Sequence, residues 1–393
     1  MITMTQRGLF FRHLAQTSEK PLALEIEKAE GIYMFCTDGK KYIDLISGIS
    51  VSGTGHRHPA VVKAIHEQLE KYLHLMVYGE YIQTPQVQLA KKLAELLPDT
   101  LSSTYFVNSG TEATEGALKL AKKYTGRTEI IAFKNAYHGS THGSLSVMGC
   151  EDFKQAFRPL LPEVRFIEFN NIFDLGNITW KTACVIAETI QGEAGVVIPY
   201  AKFMKELRRK CSENGALLIL DEVQAGMGRT GKMFAFEHYG IVPDILTLAK
   251  SFGGGMPLGA FVSSYEIMKS LANNPPLGHI TTFGGHPVSC AAALANLNVI
   301  INENLHLQTE QKGKLFQKLL KHPKIKDIRI KGLFIALEFS DEKTNKKIIA
   351  KCIENGIITD WFLFAPHCMR IAPPLIISGE EIRHACEIIL KSL

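Results

Sequence analysis

The chain has 393 residues, which at roughly 150 residues per domain suits about two domains rather than one ordinary core. Hydrophobic residues make up 46% and charged residues 21%, the balance of a water-soluble globular protein. The net charge of +5 is spread without a long basic run, so nothing points to nucleic acid, and no apolar stretch approaches the ~20 residues a membrane helix needs.

Cys36, Cys150, Cys184, Cys211, Cys290, Cys352, Cys368 and Cys386 are scattered, with no C-x-x-C pair. In a chain of this size they read as free thiols in a reducing compartment. The first 20 residues carry Arg7, Arg12 and His13 but no apolar core of signal-peptide length. A cytoplasmic protein is expected.

In chain order, the first segment reads as a hairpin-like unit, 31–35, then Asp38-Gly39, then 41–45. From about residue 102 to 264, short β-rich runs alternate with longer helical patterns. Strands are predicted at 103–107, 130–133, 164–169, 183–187, 217–220, 245–249 and 260–263, with helices such as 112–124 and 202–214 between them. Asn214-Gly215 is a good helix stop. Strands alternating with helices imply a mostly parallel sheet covered on both faces, which binds ligands beyond its strands' carboxyl ends. After Pro287 the pattern gives a long helical run, then 328–339, another helix, and 369–377.

The candidate site residues fall at those strand ends. Thr247-Leu248-Ala249-Lys250 is an apolar run ending in a lysine, followed by Ser251-Phe252 and the glycines Gly253, Gly254 and Gly255. A lysine amine condenses with an aldehyde only when unprotonated, and a strand end at a cleft floor disfavours its charge. Leu217-Leu218-Ile219-Leu220-Asp221 puts a carboxylate at the end of a wholly apolar strand. Such an acid needs a cation or hydrogen bonds, and a protonated ring nitrogen would serve. That partnership keeps a pyridinium charged, as the electron-sink chemistry of pyridoxal phosphate requires. Gln224 lies one turn on, and Glu222 should face away in a structural role. Asn108-Ser109-Gly110-Thr111 runs from strand to helix and could present N–H groups to an anion, although Ser and Thr are also ordinary helix caps. Tyr137 follows another strand and could stack on a flat ring, or simply close the core.

Taken together these motifs resemble the class III (ω-amino) aminotransferases, pyridoxal phosphate enzymes of fold type I. The resemblance runs from Asp38-Gly39-Lys40 and Gly55-His56-Arg57-His58-Pro59 to Arg370-Ile371-Ala372-Pro373-Pro374-Leu375. Between them lie Asn108-Ser109-Gly110-Thr111-Glu112-Ala113, Tyr137-His138-Gly139, Gln191-Gly192-Glu193, Asp221-Glu222-Val223-Gln224, Gly228-Arg229-Thr230-Gly231 and Ala249-Lys250. It implies an α/β fold with a large cofactor-binding domain over 48–290, built on a mostly parallel mixed sheet. Residues 1–47 and 291–393 would form a smaller α+β domain.

The resemblance also implies roles. Lys250 would carry the cofactor and move the substrate proton, Asp221 would pair with the ring nitrogen, and Gln224 would contact the ring oxygen. Ser109, Gly110 and Thr111 would hold the phosphate, with Tyr137, His138 and Glu188 in the same pocket. Thr282 would reach the phosphate of a neighbouring subunit, making a homodimer, alone or paired into a tetramer, the working unit. Glu193 and Arg370 resemble a pair in which the arginine grips an α-carboxylate and the glutamate masks it when the reacting amine lies at the far end. His56 and His58 resemble a structural stretch, so no metal is expected.

One departure bears on the acceptor. Relatives acting on glutamate carry arginine after Tyr/Phe-His-Gly, whereas this chain has Ser140. A serine cannot replace a bidentate cation, so either another residue such as His142 or a lysine of the small domain supplies the charge, or the acceptor is smaller. Tyrosines that mark ornithine-specific relatives align with Thr17 and Ile49, and Ile49 suits the acetylornithine and 4-aminobutyrate branches better. The expected reaction moves the terminal amino group of an ω-amino acid, N-acetylornithine first, to 2-oxoglutarate or pyruvate. The alternatives are 4-aminobutyrate or amine:pyruvate transfer, an aminomutase, racemase or decarboxylase on the same scaffold, and a non-enzymatic scaffold protein without cofactor.

Overall fold

A computed structural model describes residues 5–393. The chain builds three strands at its start, β1 (Ile26–Glu30), β2 (Tyr33–Cys36) and β3 (Lys41–Asp44). Seven more follow: β4 (Ser103–Val107), β5 (Glu129–Phe133), β6 (Val164–Ile167), β7 (Thr182–Glu188), β8 (Leu217–Asp221), β9 (Ile245–Leu248) and β10 (Gly259–Ser263). Five short strands close the chain: β11 (Asp327–Lys331), β12 (Phe334–Glu338), β13 (Ile357–Ile358), β14 (Asp360–Phe362) and β15 (Ala365–Ile371).

The central sheet has the order β4-β10-β9-β8-β7-β5-β6. The strands from β9 to β6 pair in parallel, and only β10 runs against its neighbours β4 and β9. Every residue of β7 and β8 is buried, as expected for strands covered on both faces, so their sequences are continuous apolar runs rather than alternating ones. All seven predicted strands form, shifted at their ends by a residue or two. The helix Gly110–Thr125 buries Ala113, Ala117, Leu120 and Ala121 along one stripe and lies on β10. The helix Ala201–Asn214 stops at Gly215, whose φ of 63° is the left-handed cap.

The two ends of the chain meet, since β13 pairs in parallel with β3 to complete the sheet β1-β2-β3-β13. The hairpin of β2 and β3 turns at Asp38-Gly39, where Asp38 accepts the N–H of Lys40 at 3.0 Å. The runs of the C-terminal part resolve into finer elements. The run 328–339 is two strands, β11 and β12, folded back at Gly332 (φ 61°), where a Cβ would lie 2.5 Å from the Arg229 carbonyl oxygen. The long helical run after Pro287 divides into Pro287–Asn302 and Leu305–Leu319, with Asn304 left-handed at φ 52° between them. The segment 369–377 is strand only to Ile371, because Pro373 and Pro374 have no N–H to give a ladder. We propose a large unit over 48–290 and a small one of 1–47 with 291–393, the second junction falling within the helix Pro287–Asn302.

The contact between the helix Gly110–Thr125 and β10 is tight at Gly116, where any Cβ would run into the ring of the fully buried Phe261. Gly116→Ala should therefore destabilise by about 1–3 kcal/mol through overpacking, read as a lower thermal midpoint. An unchanged midpoint would show that Phe261 moves freely.

Candidate active site

A cavity of about 510 Å³ opens at the carboxyl edge of the central sheet. It is lined by Ser109, Gly110 and Thr111 after β4, Tyr137, His138 and Ser140 after β5, and Glu188 ending β7. Asp221 ending β8, Gln224 beyond it, and Lys250 after β9 complete the set. Val51, Ile190, Met256, Pro257 and Leu258, which no sequence motif marks, also line the cavity. The last three precede β10, and its reversed direction is what brings them to this edge.

Lys250 begins a short 3₁₀ turn with φ at 52°, a left-handed conformation uncommon outside glycine. Burial pushes its amine down to about 8; Arg370 adds to that push, while Glu193, Asp221 and Glu188 oppose it. An appreciable neutral fraction near pH 7 follows. Asp221 is buried; its Oδ2 lies 2.7 Å from His138 Nδ1 and its Oδ1 accepts the Val223 N–H at 2.9 Å. Glu188 stands opposite Asp221 in register across β7 and β8. Its two oxygens accept the N–H groups of Tyr137 (2.9 Å) and Gly192 (2.8 Å), yet burial and the Asp221 charge push its carboxyl well above the usual range. A second buried acid beside Asp221 is thus disposed to be neutral.

At the strand-to-helix turn the capping bond is present. Ser109 Oγ caps the helix by accepting the Glu112 N–H at 3.3 Å, and Glu112 accepts the Asn108 N–H at 2.6 Å in return. Gly110 is held close, since a Cβ there would meet Val223 Cγ1 at 3.0 Å. The free N–H groups of this 16-residue helix remain for an anion. Thr111 Oγ1 is 2.7 Å from Thr141 Oγ1, and Tyr137 OH is 3.2 Å from Ser140 Oγ.

Glu193 and Arg370 do not line the cavity but stand behind Gln224. Their side chains form a buried bidentate pair, with both oxygens 2.9 Å from Nη1 and Nη2. Gln224 Nε2 donates to Glu193 Oε1 at 3.0 Å, so one of its N–H bonds is already spent on Glu193 rather than offered to a ring oxygen. Burial raises Glu193, but Arg370 outweighs it and the carboxyl is lowered to about 2. Asp360, not foreseen from sequence, accepts from Arg370 Nε at 2.9 Å.

Other expected residues lie apart. Thr282 is exposed and outside the cavity of its own chain, although its neighbour Thr281 accepts from Asn108 Nδ2 at 3.0 Å. Ile49 sits in a left-handed turn over Ser47–Ser50 with φ at 63°, and Val51 rather than Ile49 reaches the cavity. Neither His142 nor any lysine but Lys250 lines the cavity among the described residues. Lys154 is engaged elsewhere, 3.6 Å from Glu151 and over the Phe166 ring. His56 is tied to Asp44 at 2.9 Å, and His58 caps the helix Pro59–Leu69. Glu222 faces away, as expected, accepting from Ala235 N, Phe236 N and Thr189 Oγ1.

The donor set fits pyridoxal phosphate. A helix N-terminus suits the phosphate, a buried acid suits a protonated ring nitrogen, and an amine with lowered pKa suits the aldehyde. His138 Nε2 is buried without a protein partner, as expected where a bound group completes the wall.

Known proteins agree with this chemistry. The family model for class-III aminotransferases matches residues 14–393. The acetylornithine aminotransferase of Methanopyrus kandleri is 40% identical over 376 residues, covering 95% of this chain and 94% of that one. The ornithine aminotransferase of Toxoplasma gondii, a structure described with partial occupancy of pyridoxal phosphate at its active site, superposes with a TM-score of 0.91 at 31% identity, over 99% of this chain and 94% of that one. An (S)-enantioselective omega-transaminase from Thermomicrobium roseum gives 0.89 at 30% identity, over 98% and 96%. The chain belongs to the class III aminotransferases, fold type I enzymes that work with pyridoxal phosphate.

Proposed function

We propose that this enzyme transfers the terminal amino group of an ω-amino acid, N-acetylornithine first among them, to a 2-oxo acid by two alternating half-reactions. The observation that carries the reading is the buried bidentate pair of Glu193 and Arg370 behind the cavity. With Glu193 on it, Arg370 offers no free fork, so a donor reacting through its far amine meets a neutral wall. With Glu193 turned away, the same guanidinium takes the α-carboxylate of an amino or 2-oxo acid in matching geometry. A site that alternates between the two suits transfer better than an aminomutase, racemase or decarboxylase, which handles one substrate. The 40% identity to an enzyme named acetylornithine aminotransferase supports the donor.

In this reading Ser109, Gly110 and Thr111 hold the phosphate, Asp221 holds the ring nitrogen with His138 behind it, and Tyr137 covers one face. Pyridoxal phosphate, when bound, supplies the electron sink for the carbanion left when a substrate proton departs. Lys250 Nζ would take that proton from the amine-bearing carbon of the substrate and hand it on, a task its lowered pKa suits near neutral pH. Thr282, exposed beside the cavity's β4 side, serves the site of a second copy, so the working unit is a homodimer or a pair of dimers. The eight cysteines are all free, which favours the cytoplasm. No described helix is long and apolar enough to cross a membrane.

A second reading concerns the acceptor. Ser140 supplies no cation, and among the described residues Lys250 is the only lysine or arginine lining the cavity, which favours a monocarboxylic acceptor such as pyruvate over 2-oxoglutarate.

Mixing the loaded enzyme separately with N-acetylornithine, 4-aminobutyrate, glutamate and alanine, and following the loss of the cofactor's visible absorbance, tests both readings. N-acetylornithine should react fastest of the two ω-amino donors, and alanine should outpace glutamate if Ser140 sets the acceptor. Reaction of no ω-amino donor would overturn the assignment. Lys250→Ala should lose turnover with every substrate, by a factor of at least about 10³ given a general base worth 10²–10⁴ and the lost attachment point. Capture of pyridoxal phosphate by the apoenzyme should accelerate with pH and level off above about 8, because only the neutral Lys250 amine reacts and its pKa is about 8. A rate unchanged between pH 7 and 9 would contradict that value.

A further inference from the structure

Arg370 has five N–H bonds, and its surroundings divide them into two sets. The Nη1–Nη2 fork faces Glu193, with Gln224 Oε1 at a longer 3.5 Å from Nη1. The opposite edge belongs to β14. Nε donates to Asp360 Oδ1 at 2.9 Å, Nη2 donates to the Trp361 carbonyl at 3.1 Å, and the Phe362 ring lies 4.5 Å from the guanidinium carbon. Three consecutive residues thus grip the back of one side chain. Asp360 stands directly opposite Arg370 across β14 and β15, where cross-strand charge pairs meet. A shift of register between Trp361 and Phe362 then breaks the ladder, as bulges do when they re-aim groups beside a site.

The next residues hold the other partner. Leu363 N–H donates to Glu193 Oε2 and Phe364 N–H to the Glu193 carbonyl, both at 3.0 Å. The segment 360–364 therefore touches both members of the pair and treats them differently. It holds Glu193 by hydrogen bonds from backbone N–H groups and Arg370 by a carboxylate, a carbonyl and a ring. Asp360 is part-exposed, its side chain retaining 25% of its accessible surface against 2% for Arg370. An acid so placed bridges the buried guanidinium to the outside.

We propose that Asp360 is a positioning residue that fixes the back edge of Arg370, so that Glu193 and a substrate α-carboxylate exchange on a guanidinium that stays in place. The inference rests on the reading of Arg370 as the carboxylate site. A long arginine released by Glu193 would otherwise lose both its charge partner and its orientation, and a fork that has to be re-aimed binds a planar carboxylate poorly. Asp360 and Glu193 together satisfy the guanidinium while no carboxylate substrate is present. When Glu193 leaves, the bond to Nε and the Trp361 carbonyl keep both Nη groups aimed as before. Exchange of one carboxylate for another then leaves the charge around Arg370 unchanged.

The test is the affinity of the pyridoxal-phosphate-loaded enzyme for valerate, a carboxylate that cannot react, by calorimetry and by the cofactor's visible absorbance. Glu193→Gln should tighten binding, since the mask is weakened. Asp360→Ala should weaken it about tenfold, the scale of one lost charge-assisted hydrogen bond, and should do so equally in the Glu193→Gln background. Asp360→Asn keeps an oxygen for Nε and should stay within about threefold of the parent. A purely structural role would instead make Asn as poor as Ala and alter the cofactor spectrum in both. Parent-like affinity in Asp360→Ala would overturn the proposal, as would a loss of tenfold or more in Asp360→Asn should the alanine variant not fold. If neither the parent nor Glu193→Gln binds valerate, Arg370 is not the carboxylate site, and this inference falls with that reading.

Discussion

The site is governed by the cost of burying charge. Asp221, Glu188 and Glu193 are carboxyl groups with at most 6% of their surface exposed, gathered near Lys250 and Arg370. Such groups are stable in a dry site only when each is paired, hydrogen-bonded or neutralised. Here each takes a different solution. Glu193 is held ionised by a bidentate guanidinium, Glu188 is driven towards its neutral form, and Lys250 moves towards its free amine. Asp221 is tied to His138 and Val223. The groups are driven to different charge states because their surroundings differ, although three of them are chemically alike.

The fold supplies these surroundings with little freedom. Parallel strands end together at one edge, so Glu188 and Asp221 become register neighbours and Lys250 arrives one strand further on. The reversed β10 carries Met256–Leu258 to the same edge and closes the cavity with apolar surface. The antiparallel sheet β11-β12-β15-β14 contributes Arg370 from β15 and the cradle from β14. Arg370 thus comes from a different sheet than the lysine, and Glu193, in the loop after β7, reaches the second sheet by direct bonds to Arg370 and Leu363.

Much of this was legible in sequence because strand-end chemistry is local. Leu217–Asp221 reads as a buried strand capped by an acid, and Asn108–Thr111 as a strand meeting a helix, without tertiary knowledge. The divisions at Gly332 and Asn304 turn on a left-handed backbone at each point, which Lys331-Gly332 and Asn302-Glu303-Asn304 signal only as local breaks between apolar runs. Asp360 was invisible for another reason. It lies on a three-residue strand with no pattern of its own, and its importance comes from cross-strand register with Arg370. Gln224 lines the cavity, but its bond to Glu193 needed the loop geometry. Ile49 and Thr282 were chosen through resemblance, and neither lines the cavity of its own chain.

The central claim is that one guanidinium serves Glu193 and a substrate carboxylate in turn. It is tested most directly by crystal structures of the cofactor-loaded enzyme, one with an ω-amino donor and one with a 2-oxo acid. The account predicts Glu193 seated on Arg370 in the first, and the acid's carboxylate in its place in the second with Asp360 unmoved. Glu193 on Arg370 in both, with the 2-oxo acid's carboxylate held by other residues, would contradict it.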